Sequence, residues 1–126
     1  MVSSIARLRV LIVDDHPVFC QGLRRILESV SDIEVIGMAR DGEEALDMAR
    51  ESTPDVILMD INLPTMNGMQ VTRLIKAELP NIAVIMLTAY GTPQSAIEAL
   101  KLGAYDHLAK PFNNETLLEM IKKALE

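Results

Sequence analysis

The sequence has no tryptophan, and its aromatic residues are two phenylalanines and two tyrosines. It also has a single cysteine, Cys20, which excludes a disulfide within the chain. Cys20 lies near Phe19 and Leu23 in a segment with helical spacing. We therefore expect a small core or partly buried residue there, and not a reactive thiol.

Long apolar runs and an excess of basic residues are absent as well. No run approaches the roughly 20 residues needed to cross a bilayer, and residues 1–7 lack the apolar centre of a signal peptide. These features predict a cytoplasmic protein without a membrane segment. The net charge of -6 disfavours direct binding to nucleic acid, because an acidic domain repels a phosphate backbone.

The 126 residues and the hydrophobic fraction of 49% predict one compact domain over residues 1–126, with a flexible segment at residues 1–6. Strand-like apolar runs recur along the chain. They lie near residues 8–13, 33–38, 56–60, 82–88 and 104–108. The second run is half-alternating, which is typical of an edge strand.

Amphipathic stretches alternate with these runs and carry recognisable helix starts. Pro17 stands where a first-turn proline belongs, and the Asp41 to Glu44 segment resembles a capping box. Thr92-Pro93 opens a predicted fourth helix, and Asn113 or Asn114 caps a fifth. Five strand–helix units in a row predict an α/β fold of the flavodoxin-like (βα)5 type, a doubly wound parallel sheet with strand order 2-1-3-4-5.

Polar residues end four of the five apolar runs. Asp14 and Asp15 end the first run, Asp60 the third, Thr88 the fourth and Lys110 the fifth. In an open α/β sheet the ligand lies beyond the carboxyl ends of the strands, where the strand order reverses. One aspartate at a strand end is often only a turn former or a helix cap. The occurrence of polar residues at four strand ends together is what predicts a site.

The residue types predict the chemistry of that site. Three neighbouring carboxylates raise each other's pKa, and Mg²⁺, which prefers oxygen ligands, relieves the repulsion. An aspartate can attack phosphorus and form an acyl phosphate. Asp60 is central in the sheet and is the best candidate nucleophile, while Asp14 and Asp15 would hold the metal. Thr88 would donate a hydroxyl hydrogen bond to the phosphoryl group, and Lys110 would supply positive charge.

These residues resemble the receiver domain of bacterial two-component response regulators, and the match covers essentially the whole chain. It rests on the segments Val10 to Pro17, Asp55 to Pro64, Met66 to Gly68, Met86 to Ala89 and Gly103 to Phe112. The resemblance implies the following roles: Asp60 as phosphoacceptor; Asp15, Asp60 and the Asn62 backbone carbonyl as direct Mg²⁺ ligands; Asp14 acting through a metal-bound water; and Thr88 and Lys110 binding the phosphoryl oxygens.

The resemblance also implies a switch and a special peptide bond. The family's switch aromatic lies three residues before the lysine, where this chain has His107. We expect Thr88 to move toward the phosphoryl group and His107 to fill the space that it leaves. The Lys110-Pro111 bond is expected to be cis. His16 is expected at the start of the first helix, near solvent and without a metal role.

The function that the resemblance implies is a phosphorylation-dependent signalling switch. A histidine kinase or phosphotransfer protein would donate the phosphoryl group, with Mg²⁺ as cofactor and Mn²⁺ as a substitute. An output domain, a partner protein or a second copy would bind the face formed by the predicted fourth helix, fifth strand and fifth helix. The chain would be a signalling domain and not an enzyme, either complete or part of a longer transcriptional regulator.

Three alternatives remain from the residues alone. An aspartyl-phosphate phosphatase of the haloacid dehalogenase type needs Asp-x-Asp, whereas here Asn62 takes the second position. A flavodoxin needs a hydroxyl- and glycine-rich phosphate loop after the first strand, where this chain has Asp14 and Asp15. A phosphorylation-independent module with a receiver fold is disfavoured by the complete residue set.

Overall fold

The computed structural model describes residues 7–64, 66–88, 97–98, 100–101, 103–110 and 112–124. Five strands are present: β1 (Leu8–Val13), β2 (Ile33–Ala39), β3 (Val56–Asp60), β4 (Ala83–Thr88) and β5 (Asp106–Ala109). Four helices have defined bounds: α1 (Pro17–Glu28), α2 (Gly42–Ser52), α3 (Gly68–Glu78) and α4 (Asn114–Lys123). None of the helices in these ranges is long and apolar enough to cross a membrane.

The five strands form one sheet in the order β2-β1-β3-β4-β5, and every neighbouring pair is parallel. This confirms the predicted fold class and strand order, including β2 as an edge strand. The order reverses between β1 and β3, which lie side by side although β2 comes between them in sequence. The ends of β1 and β3 therefore meet at the point where the fold predicts a ligand.

Two apolar layers, one on each face of the sheet, form the core. Leu11 and Val13 of β1 face a layer completed by α2 and α3, whereas Val10 and Ile12 face a layer completed by α1 and α4. Successive side chains of a strand point to opposite faces, so a central strand with both faces covered must be apolar throughout. That is why residues 10–13 of β1 and 56–59 of β3 appear in the sequence as unbroken apolar runs.

The helix starts agree with the sequence. Pro17 occupies the first turn of α1, and the Asp41 side chain accepts a hydrogen bond of 2.9 Å from the Glu44 N–H. The capping box predicted there is only half formed, because Glu44 Oε1 accepts from the Arg40 N–H and not from the Asp41 N–H. Asn113 caps α4 by accepting from the Glu115 N–H at 2.7 Å. Asn67 forms a capping box at α3 that the sequence analysis did not predict. Side-chain caps of this kind satisfy N–H groups that the helix itself leaves unpaired.

The region between β4 and β5 differs in part from expectation. The fifth strand was predicted at residues 104–108, but β5 runs from Asp106 to Ala109. Gly103 turns the chain with a φ of 98° before β5 begins. Residues 97–98 and 100–101 are helical, as predicted for a fourth helix. The predicted start of that helix at Thr92-Pro93, the Lys110-Pro111 bond and residues 1–6 lie outside the described residues.

Gly68 sets how closely α3 approaches the end of β3. Its N–H donates a hydrogen bond of 2.8 Å to the Ile61 carbonyl. A Cβ atom at this position would collide with the backbone carbonyl oxygen of Asp60 and would lie 2.9 Å from the Ile61 Cα atom. Only glycine fits without a shift of backbone, so Gly68 helps to fix the position of the strand end that carries Asp60.

We predict that Gly68→Ala lowers the free energy of unfolding by about 1–3 kcal/mol, because overpacking against backbone cannot be relieved by a side-chain rotation. Gly22→Ala is the matched control, since a Cβ on this residue of α1 meets nothing within 4 Å. We expect Gly22→Ala to raise stability by about 0.5–1 kcal/mol through helix propensity. Urea denaturation measures both changes. Equal stability of the two variants would contradict the close-packing account.

Candidate functional site

The carboxyl edge of the sheet brings together the acidic residues that the sequence analysis singled out. Asp14 and Asp15 follow β1, and Asp60 is the last residue of β3. Together with His16, they can each place one ligand atom so that all these atoms lie within 4.8 Å of one another. The predicted meeting of the three carboxylates is thus confirmed, although residues 15 and 60 are 45 positions apart in the sequence.

Asp14 is buried and uses both of its carboxylate oxygens. Its Oδ2 atom accepts a hydrogen bond of 2.8 Å from the Lys110 Nζ atom. Its Oδ1 atom accepts from the His16 backbone N–H at 2.9 Å and lies 2.8 Å from the His16 Nδ1 atom. A buried carboxylate needs such partners, because removing an ion from water without compensation is costly. Asp14 therefore acts on the site through Lys110 and His16, which its two carboxylate oxygens contact.

Lys110 is the cation of the cluster. Besides its contact with Asp14, its Nζ atom lies 3.9 Å from Asp60 Oδ1. The same ammonium lies 4.1 Å from the centre of the Phe19 ring, a cation–π contact. Phe19 in turn packs edge-on against Phe112, with ring centres 6.2 Å apart. The aromatic pair supports the lysine side chain on its way to the carboxylates, a role that the sequence analysis did not predict.

Asp60 is buried, and its environment disfavours the charged form. Burial is the largest cause that raises the pKa of Asp60, followed by the negative charge of Asp14. The Lys110 charge and a hydrogen bond from the Asn62 N–H, 3.2 Å long, oppose these effects. Burial destabilises the charged form of a carboxylate. A bound cation therefore stabilises a buried carboxylate more than it stabilises a carboxylate in water.

Thr88 and Lys110 reach the same edge through strand pairing. Thr88 is buried and follows Leu87, which is paired with Asp60. Its backbone carbonyl accepts a hydrogen bond of 2.7 Å from the Lys110 N–H, directly after the Thr88–Ala109 pair. The register of β3, β4 and β5 therefore fixes both residues at the edge that carries Asp60.

Asp15 and His16 form the solvent-facing side of the cluster. The Asp15 side chain is 34% exposed, and its Oδ1 atom lies 3.1 Å from the His16 Nδ1 atom. Among the described residues this oxygen makes no hydrogen bond. The hydrogen bond to Asp14 is the largest cause that raises the pKa of His16, and the Asp15 charge adds to it. His16 lies before α1 and near solvent as predicted, but its contact with both acids was not predicted.

Cys20 contributes no reactivity to the site. Its Sγ atom is buried and donates a hydrogen bond of 3.4 Å to the Asp14 backbone carbonyl. Burial, with the Asp14 charge as a second cause, raises the pKa of the thiol to about 11. Thiol nucleophilicity requires the thiolate, which is scarce at neutral pH when the pKa is that high. The expectation of a small core residue is confirmed.

A family model for the response regulator receiver domain matches residues 10–122. The chain belongs to this family. Its receiver fold and its signalling class agree with the resemblance stated from the sequence, and the matched range includes each of Asp14, Asp15, Asp60, Thr88 and Lys110.

Known proteins similar to this receiver include regulators and an enzyme. The chain is 35% identical over 116 residues to the transcriptional regulatory protein DegU of Brevibacillus brevis, covering 92% of this chain and 49% of that protein. It is 46% identical over 109 residues to a protein-glutamate methylesterase/protein-glutamine glutaminase of Carboxydothermus hydrogenoformans, covering 85% of this chain and 30% of that protein. The chain thus spans at most about half the length of these two relatives.

A solved structure agrees with this fold. The two-component response regulator of the LuxR family from Aurantimonas superimposes with a TM-score of 0.91 at 31% sequence identity. The match covers 95% of this chain and 86% of that chain.

His107 lies on β5, paired with Met86 of β4. Paired residues of parallel strands share a face, and so do residues two apart along one strand. His107 is therefore on the same face of the sheet as Thr88, two residues beyond Met86. The ring is partly buried, and its Nδ1 atom makes no hydrogen bond within the described residues.

We predict that Asp60→Asn stabilises the receiver at neutral pH without divalent ions, by on the order of 1 kcal/mol, because it removes a buried charge next to Asp14. The pKa of Asp60 is raised in the folded state. Protonated Asp60 therefore favours the fold at low pH, and this contribution is lost as the pH rises through the folded pKa. The gain from Asp60→Asn should accordingly grow between the ordinary aspartate pKa and neutrality.

Asp55→Asn is the control for this comparison. Asp55 precedes β3 at the opposite edge, where its Oδ2 atom accepts a hydrogen bond of 2.9 Å from the Arg9 N–H. We expect no gain from Asp55→Asn in urea denaturation with EDTA. A gain for Asp60→Asn that does not vary with pH would contradict the electrostatic cause.

Proposed function

We propose that this receiver accepts a phosphoryl group on Asp60, with Mg²⁺, and thereby changes which partner it binds. The observation that carries the proposal is the meeting of three carboxylates with one ammonium group at the carboxyl edge of the sheet. A buried carboxylate next to an ammonium and a second acid is suited to attack an electrophilic phosphorus once a divalent cation balances the charge.

The donor set fits a hard divalent cation. Asp15 offers an oxygen that makes no hydrogen bond among the described residues, and Asp60 offers a carboxylate whose charged form burial disfavours. We assign Asp15, Asp60 and the Asn62 backbone carbonyl as direct Mg²⁺ ligands, with Asp14 acting through a water. Mn²⁺ would substitute, since carboxylate and carbonyl oxygens suit both ions. When bound, the ion supplies positive charge next to the phosphoryl oxygens.

The proposed transfer balances with the residues named. A carboxylate oxygen of Asp60 forms the new O–P bond while the P–N bond of a phosphohistidine on the partner breaks, and the departing imidazole takes up a proton. Lys110, 3.9 Å from Asp60 Oδ1, neutralises charge on the phosphoryl group. Thr88 donates a hydroxyl hydrogen bond to the same group. Most of the catalytic effect of such a site is positioning and charge neutralisation.

The change of conformation would follow from the new hydrogen bond that Thr88 donates to the phosphoryl group. As Thr88 turns toward the phosphoryl group, His107 fills the space on the shared sheet face. The exposed apolar residues Ile97, Leu100 and Tyr105 lie in the segment from the predicted fourth helix to the start of β5. We propose this segment, with β5 and α4, as the surface that binds an output domain, a partner protein or a second copy of the chain.

We also propose a phosphoryl donor, a location in the cell and a wider role for this receiver. We propose a sensor histidine kinase or phosphotransfer protein as donor and the cytoplasm as location. The similar DegU protein is a transcriptional regulator, whereas the similar methylesterase is an enzyme. Because this chain covers only part of each, we propose for residues 1–126 a signalling domain that assists only its own phosphorylation and slow dephosphorylation, and a transcriptional output for a longer protein that contains them.

We predict that acetyl phosphate with Mg²⁺ adds one phosphoryl group to the wild-type receiver, and that Asp60→Asn abolishes the adduct because the nucleophile is lost. Intact-mass spectrometry measures the product. EDTA should prevent modification, since the acidic cluster then lacks its balancing cation. Asp55→Asn, at the opposite edge of the sheet, should be modified like the wild type. A phosphorylated Asp60→Asn protein would reveal a different acceptor and end the proposal.

We predict that His107→Ala weakens phosphorylation-dependent partner binding or dimerisation roughly tenfold, on the typical scale of allosteric coupling. Phosphorylation of Asp60 itself should be unchanged, because His107 is not part of the cluster formed by Asp14, Asp15, His16 and Asp60. Sedimentation with and without beryllofluoride, which mimics a phosphoryl group, reports dimer formation, in which the partner is a second copy of the chain. Unchanged coupling in His107→Ala would remove this residue from the switch.

A further inference from the structure

The His16 ring lies in a position that its sequence context does not explain. Its Nδ1 atom is 2.8 Å from Asp14 Oδ1 and 3.1 Å from Asp15 Oδ1. The ring is otherwise largely exposed, with 66% of the side chain open to solvent. It makes no side-chain cap on α1, although His16 is the N-cap residue. The ring therefore contacts the two acids next to the proposed ion and has no role in capping the helix.

We infer that the His16 ring competes with the divalent cation for Asp14 and Asp15 and so sets the ion concentration at which the receiver becomes competent. This inference rests on the proposed function, and it adds a residue that tunes the same site. A direct ligand lies about 2.0–2.1 Å from Mg²⁺. An ion bound to Asp15 that reaches Asp14 through a water needs room for itself and that water beside the two carboxylates, where the His16 Nδ1 atom now lies.

The surrounding contacts allow the ring to leave. The His16 backbone N–H keeps its own hydrogen bond of 2.9 Å to Asp14 Oδ1, and Lys110 keeps Oδ2 at 2.8 Å. Rotation of the His16 side chain into solvent therefore breaks only the contacts made by Nδ1. Asp14 remains compensated in either position of the ring. To bind, the ion must displace one hydrogen bond, the one between His16 Nδ1 and the Asp14 carboxylate, while the fold stays intact.

Ligation by His16 is the opposing possibility, and the donor chemistry disfavours it for Mg²⁺. Magnesium prefers oxygen and keeps several waters, whereas imidazole suits nickel, copper and zinc. The two roles make opposite predictions. Loss of a competing ring strengthens binding of Mg²⁺, and loss of a ligand weakens binding, most of all for Ni²⁺.

The test is a Mg²⁺ titration of the whole chain, with the ion's stabilisation of the fold in urea as the readout. We expect His16→Ala and His16→Phe to lower the apparent Kd for Mg²⁺ about tenfold, the scale of one hydrogen bond to a charged group. The Phe variant keeps an aromatic ring without the nitrogen, which separates the hydrogen bond from the effect of bulk. Val18→Ala is the control, because Val18 is 83% exposed in the same helical turn.

Each result of the titration either supports or overturns competition by the His16 ring. A lower Kd in both His16 variants, with Val18→Ala like the wild type and Asp15→Asn no longer stabilised, supports the inference. An unchanged or raised Kd for Mg²⁺, or weaker Ni²⁺ binding in His16→Ala, overturns it. Phosphorylation of Asp60 in the same preparations then shows whether the receiver function still stands. If the wild type is not stabilised by Mg²⁺ at all, the metal site and this inference both fail.

Discussion

Three carboxylates repel one another at one edge of the sheet, and this repulsion governs the chemistry of the site. Asp14 and Asp60 are buried, so water cannot relieve their charges. Lys110 is the nearest compensation, at 2.8 Å from Asp14 and 3.9 Å from Asp60. One ammonium group does not balance three acids. The site is thus left with a deficit of positive charge, and this deficit favours a divalent cation and a reactive Asp60.

The apolar sheet holds this repulsive arrangement together. β1 and β3 are buried on both faces, and their residues contribute to both core layers. Burial of this kind stabilises a domain by roughly 25 cal/mol for each Å² of apolar surface, which offsets the repulsion among the carboxylates at the strand ends. Gly68 adds a local requirement, since α3 packs directly on the backbone of Asp60. The packing of α3 on the end of β3 therefore contributes both to the core and to the geometry of the site.

Much of this arrangement could be predicted from the sequence because it follows from chain direction. Parallel strands end at one edge, so the residues after each apolar run must meet there, as Asp14, Asp60 and Lys110 do. The exact position of β5 could not be predicted. Its residues Asp106 to Ala109 lack the β-branched pattern of the inner strands, and pairing with β4 fixes its position instead.

Side-chain orientation explains the contacts that the sequence analysis missed. A histidine after two aspartates indicates a helix start, but only its rotamer brings Nδ1 to within 3.1 Å of both acids. In the same way, Phe19 was predicted as part of an apolar helix face. Its contact with Lys110 depends on how α1 packs beside the end of β5. Spacing predicts which residues share an edge, whereas packing decides which atoms touch.

A crystal structure of the chain with Mg²⁺ and beryllofluoride would show where the acidic edge of the sheet binds the ion and the phosphoryl mimic. We expect the fluoride group on the Asp60 carboxylate, in contact with Lys110 and Thr88, and the ion between Asp15 and Asp60 with the His16 ring turned away. An adduct on another residue, or an ion bound outside the carboxylate cluster, would contradict the claim that unbalanced charge at this edge drives the chemistry.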